Sequence, residues 1–94
     1  MNIQTVKAPK KVDNNTAKGF QNDLVAAIES KPDQIKIDLV ETTYLSSAGL
    51  RAFLFAEKAA KKAGVPILIC NVCESVMEVF DITGYSGFLN FEED

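Results

Sequence analysis

The chain has 94 residues, of which 47% are hydrophobic and 24% charged, with a net charge of −3 and no histidine. This length suits one small domain over residues 1–94 with a core of its own. An acidic balance gives no electrostatic footprint for nucleic acid, and the absence of histidine removes the commonest general base and metal ligand. A binding module is therefore expected rather than an enzyme.

No stretch approaches the roughly 18 apolar residues that would span a bilayer. The opening segment "MNIQTVKAPKKVDNN" lacks the apolar centre of a secretory signal. No membrane insertion and a cytoplasmic location are expected.

In chain order, "NIQTVK" alternates loosely through Ile3 and Val6 and predicts a first strand, interrupted near Pro9; "KKVD" predicts a short extended piece. "DNNTAKGFQNDLVAAIES" then predicts a helix, with Asp13, Asn14 and Asn15 offering caps and with Phe20, Leu24, Val25 and Ile28 on one face. Gly19 weakens this helix by roughly 1 kcal/mol against alanine, which is tolerable if Phe20 is buried.

After the turn "KPDQ", the run "IKIDLV" alternates strictly, with Ile35, Ile37 and Leu39 on one side and Lys36 and Asp38 on the other. It is the clearest strand signal in the chain. "ETTY" leaves this strand, and a helix begins at Ser46 or Ser47. Leu50, Phe53, Leu54 and Ala60 are its expected buried stripe, while Arg51, Glu57, Lys58, Lys61 and Lys62 face water. Gly64 ends it, and the lysines of its last turns suit the negative end of the helix dipole.

"VPILIC" predicts a strand covered on both faces. "ESVMEVFDIT" predicts a third helix, with Val76, Val79, Phe80 and Ile82 inward and Gly84 as its end. "GFLNF" adds a last strand or a docked turn, and "EED" reads as a solvated acidic tail. Helices alternating with apolar strands indicate an α/β sheet with right-handed crossovers.

Few residues could carry chemistry. Cys70 and Cys73 are spaced C-x-x-C at a strand end and a helix start, the placement of a redox pair. Only 21 residues follow Cys73, too few for the remainder of a thioredoxin-like fold, so both are expected to be small apolar residues in a reduced compartment. Neither histidine nor further cysteine completes a zinc site. "SSAGL" is not a nucleophile elbow, has no histidine to activate it, and lacks the glycine spacing and lysine of a P-loop. No catalytic residue, cofactor or metal is therefore expected.

Two adjacent serines, Ser46 and Ser47, nevertheless open the second helix. One hydroxyl is enough for a cap. A phosphoserine carries about −1.5 to −2 charges, and a helix N-terminus tolerates that charge best. Ala48 and Gly49 leave little bulk beside the hydroxyls, so a partner could approach closely.

The segment "IKIDLVETTYLSSAGLRAFLFAEKAAKKAG" resembles the core of a STAS domain, the fold of bacterial anti-sigma factor antagonists. In that family a strand ending in Asp-Leu, here Asp38 and Leu39, leads to a Ser-Ser-x-Gly-Leu or Asp-Ser-x-Gly-Leu motif, here Ser46 to Leu50. "VDNNTAKGF" is similar to the family's first-helix start, and "VFDITGYSGFLNFEED" to its closing segment, so the likeness covers residues 10 to 91. The glycine that usually ends the first hairpin is missing from "KAPKKVD".

The resemblance implies a central mixed β-sheet with helices packed mostly on one side. It implies an anti-sigma factor antagonist whose unphosphorylated form binds an anti-sigma factor with serine kinase activity and frees the sigma factor. Phosphorylation of Ser47 would end that binding, and a PP2C-type phosphatase would restore it. The partner-binding surface expected on this basis comprises Asp13, Asn14, Thr43, Ser46, Ser47, Ala48 and Arg51. A second reading is a STAS scaffold or adaptor subunit of a lipid-transport or stressosome-type complex.

Overall fold

The computed structural model of the chain describes residues 1–92. The elements run β1 (Ile3–Lys7), β2 (Lys11–Val12), α1 (Ala17–Glu29), β3 (Gln34–Asp38), β4 (Tyr44–Leu45), α2 (Ser47–Ala63), β5 (Ile67–Cys70), α3 (Glu74–Ile82) and a 3-10 turn over Tyr85–Gly87. Strands β1, β3 and β5 form a three-stranded sheet in that order, and β2 pairs with β4 in a second, two-stranded sheet.

Every strand pairing among the described residues is parallel. The mixed sheet implied by the family resemblance is corrected accordingly. The "GFLNF" segment adds a single parallel bridge, Ile69 to Phe91, and not a full strand.

The register explains which side of the sheet is covered. Val6, Ile37 and Ile69 lie abreast, as do Gln4, Ile35 and Ile67. Ile35, Ile37, Ile67 and Ile69 are all buried beneath the helices. The alternate row of Thr5, Lys36 and Leu68 points the other way, because successive side chains leave a strand on opposite faces. Leu68 is only half-buried, so β5 is not enclosed on both faces as its composition predicts.

A row of aromatic rings joins the helices. Phe20 of α1, Phe53 of α2, Phe80 of α3 and Phe91 stand edge to face, with successive centroids 5.4, 5.3 and 5.4 Å apart. Such pairs contribute about 0.5–1.5 kcal/mol each beyond the area they bury. Phe20 is buried, which is the condition for Gly19 in the same turn.

Six residues depart, wholly or in part, from the sequence reading. Glu57 is buried, not solvated, and its Oε2 has no hydrogen-bond partner. Ile82, expected inward, is 76% exposed, while Val79 is half-buried beside the buried Val76 and Phe80. Leu54 and Val25 are half-buried. Glu92, assigned to a solvated tail, pairs with Lys36 at 3.0 Å; Glu93 and Asp94 of that tail lie outside the described residues.

Candidate functional site

The site is built where β2, β4 and the first turn of α2 meet. Ser46 takes extended backbone angles and forms the N-cap of α2, whose first helical residue is Ser47. The Ser46 N–H donates to the Val12 carbonyl at 2.9 Å. Its hydroxyl donates to the same carbonyl and accepts from the Gly49 N–H, each at 3.3 Å. Both roles of the Ser46 hydroxyl are thus committed to holding the helix start against β2.

Ser47 is different. It is exposed, and its hydroxyl enters no hydrogen bond within the described residues. The two adjacent serines thus differ, the Ser46 hydroxyl held by Val12 and Gly49 and the Ser47 hydroxyl unbonded within the described residues. A phosphate on Ser47 would meet the positive end of the α2 dipole.

Gly49 carries a correction. It is buried, and a Cβ there would overlap the Val12 carbonyl and approach Leu45 Cδ1 to 2.8 Å and Val12 Cγ1 to 2.9 Å. Its smallness serves close packing of α2 on β2 and not clearance for a partner. Ala48 is half-buried at the surface and keeps the role of a small neighbour.

Asp13 caps the turn before α1. Its Oδ1 accepts from the N–H groups of Asn15 and Thr16 at 2.9 and 3.2 Å, and its own N–H donates to the Thr16 hydroxyl at 3.0 Å. Helix α1 itself starts later than the sequence predicts, with Thr16 as its N-cap. Asp13, Asn14, Asn15, Tyr44 and Ser46 line one shallow pocket. Of the predicted surface residues, the fold therefore gathers Asp13, Asn14 and Ser46 around that pocket, beside Ser47. Thr43 is exposed on the preceding loop, its N–H bonded to the Lys10 carbonyl at 2.8 Å. Arg51 is exposed one turn further along α2.

Two contributors escape the sequence reading. Tyr44, 51% exposed, forms a wall of the pocket; an aromatic beside a serine pair is the signal that could have found it. Thr42 is fully buried, its hydroxyl donating to the Pro9 carbonyl at 2.9 Å, and it ties the loop between β3 and β4 to the segment before β2.

The cysteines divide. Cys70 is buried, and burial pushes its thiol above the ordinary range. Cys73 is exposed at the N-cap of α3, against the expectation of a second apolar residue. The Ser75 hydroxyl and then the Val76 N–H hold its thiol below the ordinary range. Both thiols are free.

A family model described as the STAS domain matches residues 2–94. The chain belongs to the STAS family. This STAS domain is 30% identical over 79 residues to the anti-sigma-B factor antagonist of Bacillus subtilis, covering 84% of the chain and 72% of that protein. It is 30% identical over 74 residues to BtrV of Bordetella bronchiseptica, covering 79% of the chain but spanning only 64% of BtrV. Among solved structures, the anti-sigma factor antagonist SpoIIAA in its unphosphorylated form matches with a TM-score of 0.79 at 13% identity, over 99% of this chain and 82% of SpoIIAA. A Thermotoga maritima protein matches with a TM-score of 0.82 at 16% identity, over 96% of this chain and 80% of its own. These establish the STAS-like α/β fold. No helix of the described residues is long and apolar enough to cross a membrane.

Proposed function

We propose that the protein is an anti-sigma factor antagonist of the cytoplasm, a binding partner and kinase substrate and not itself an enzyme. Its unphosphorylated form binds an anti-sigma factor with serine kinase activity and releases the sigma factor. Phosphorylation of Ser47 ends the complex, and a PP2C-type phosphatase resets it. The observation that carries this reading is the contrast between the serines: the Ser47 hydroxyl is exposed and unbonded, whereas the Ser46 hydroxyl is engaged with Val12 and Gly49. Relatives of 30% identity bearing the antagonist name support it.

The switch acts by charge and bulk, with little change of fold. A phosphate on Ser47 projects from a helix start already fixed by Ser46, so it alters the surface beside Asp13, Asn14 and Arg51 without needing to move the backbone. The test is phosphorylation by an anti-sigma factor of the serine-kinase type with ATP, followed by mass spectrometry. The wild type gains one phosphate and Ser47→Ala gains none; equal labelling of the two would overturn the assignment. Ser47→Asp weakens binding of that anti-sigma factor while leaving the melting temperature within a few degrees.

A further inference from the structure

Ser47 heads a longer feature. At helical spacing, Ser47, Arg51, Leu54, Lys58 and Lys61 fall along one side of α2, with Phe55 and Lys62 beside them. Arg51, Lys58, Lys61 and Lys62 are exposed, the outward Phe55 is 48% exposed, and the helix's one acidic residue, Glu57, is buried. Arg51, Leu54, Phe55 and Lys58 line a shallow groove with Gln21 of α1. A cationic stripe with an aromatic at its centre thus stands on a chain of net charge −3.

Helix α3 carries the opposite pattern. Glu74, Glu78 and Asp81 share its solvent side with Ile82, which is 76% exposed. Within each stripe the like charges are neighbours at i, i+3 and i, i+4, which destabilises an isolated helix. Asp81 also sits in the last turn of α3, where the dipole disfavours an anion. No residue of either stripe forms an ion pair among the described residues, those pairs being Lys7–Glu41 and Lys36–Glu92, although Lys61 stands within electrostatic reach of the buried Glu57 carboxyl.

We propose that these two faces are complementary halves of one interface, the acidic side of α3 in one copy docking on the cationic α2 stripe of a second, with Ile82 against Phe55. The like-charge rows that strain each helix alone become opposite-charge rows when paired. Because the two patches differ, the contact is heterologous, so each copy offers α2 to one neighbour and α3 to the next, giving chains or a closed ring. An anionic lipid surface is the poorer occupant, since Phe55 is the only well-exposed apolar side chain of the stripe. On the reading of Ser47 as the phosphorylated residue, a phosphate there adds negative charge at the head of the stripe and loosens the assembly.

The test is sedimentation velocity of the full chain over a concentration series at low and high salt. The wild type exceeds its monomer mass of 10.3 kDa at low salt, and its association constant falls at least about tenfold on raising salt to a level where the screening length is ~3–5 Å. The double variants Lys58→Glu/Lys62→Glu and Glu78→Lys/Asp81→Lys are each monomeric with wild-type circular dichroism. The quadruple charge-swapped chain associates again, as does an equimolar mixture of the two double variants. A wild type that stays monomeric at millimolar concentration and low salt overturns the proposal, as does failure of the charge swap to restore association. Stripe-dependent binding to phosphatidylserine vesicles without self-association also overturns it. Ser47→Asp is expected to weaken association; if it does not while the charge swap behaves as stated, only the link to Ser47 falls. Conversely, absence of phosphorylation at Ser47 leaves the charge-swap result untouched.

Discussion

The Ser46 hydroxyl and the Val12 carbonyl lie 3.3 Å apart, and the Ser46 N–H reaches the same carbonyl at 2.9 Å. One backbone oxygen of β2 therefore holds both the main chain and the side chain of the residue that caps α2. Replacing that cap should cost about 1 kcal/mol, a fall in melting temperature of about 4–8 °C for a domain of this size. Ser46→Ala is expected to show it by calorimetry, whereas Ser47→Ala, at a free and exposed position, stays within about 0.5 kcal/mol of the wild type. The same pair read by phosphorylation reverses the ranking: Ser46→Ala remains a substrate and Ser47→Ala does not.

Gly49 is the position least able to accept a side chain. The atom an added methyl would meet is backbone, the Val12 carbonyl, which cannot rotate away. Gly49→Ala is expected to cost about 2 kcal/mol or more through overpacking, seen as a shift of the urea midpoint. A thermally neutral Gly49→Ala would mean that α2 does not seat on β2 as described.

Glu57 gives the stability a pH dependence of unusual sign. Burial raises its carboxyl above the ordinary value of 4.5, against a smaller opposing effect of Lys61. Between the ordinary and the raised value, the folded chain keeps a proton that the unfolded chain has lost. The contribution of this group therefore falls as pH rises through that window. Glu57→Gln is expected to remove that dependence and to raise neutral-pH stability by about 1 kcal/mol, since the amide carries no charge to desolvate. Melting curves of the two proteins from pH 4.5 to 8 should converge at the acidic end.

The two thiols should react in sequence. Cys73 is exposed with its thiol held low by Ser75, and Cys70 is buried with its thiol raised. Iodoacetamide at neutral pH is expected to label Cys73 in the native protein and Cys70 only after denaturant is added. Simultaneous labelling of both in the folded state would contradict the burial of β5. Ser75→Ala should slow the native reaction by raising the Cys73 thiol towards its ordinary range.

The alternation of Ile35, Lys36, Ile37 and Asp38 and the cap-to-glycine span from Ser46 to Gly64 were legible because each is a local pattern. What escaped has two sources, residues whose chemistry argued against their helical phase and contacts distant in sequence. Glu57 lies four residues after Phe53 and three before Ala60, so helical geometry places it in the buried stripe even though a carboxylate argues for water. Ile82 fails in the opposite way: two residues beyond Phe80, it sits about 200° round the helix from the core. The site was partly readable, since the serine pair is a motif. The choice of Ser47 for the phosphate came from the family resemblance, whereas the bonds that hold Ser46 and the internal packing of Gly49 needed Val12, which is 34 residues from Ser46. Strand direction was legible in the alternation of strands and helices, since right-handed crossovers join parallel strands; the family resemblance suggested a mixed sheet instead, and the pairings are parallel.

The edge-to-face row from Phe20 through Phe53 and Phe80 to Phe91 touches all three helices and the closing segment. No helix can detach without stripping a ring from its neighbour, so local opening of one becomes global opening of all. Native-state hydrogen exchange should accordingly report a single protection plateau for the inner amides of α1, α2 and α3. A protein that must present one changeable hydroxyl on an otherwise constant surface is well served by such all-or-none behaviour, because a covalent change at its rim is then read by partners and not absorbed by the interior.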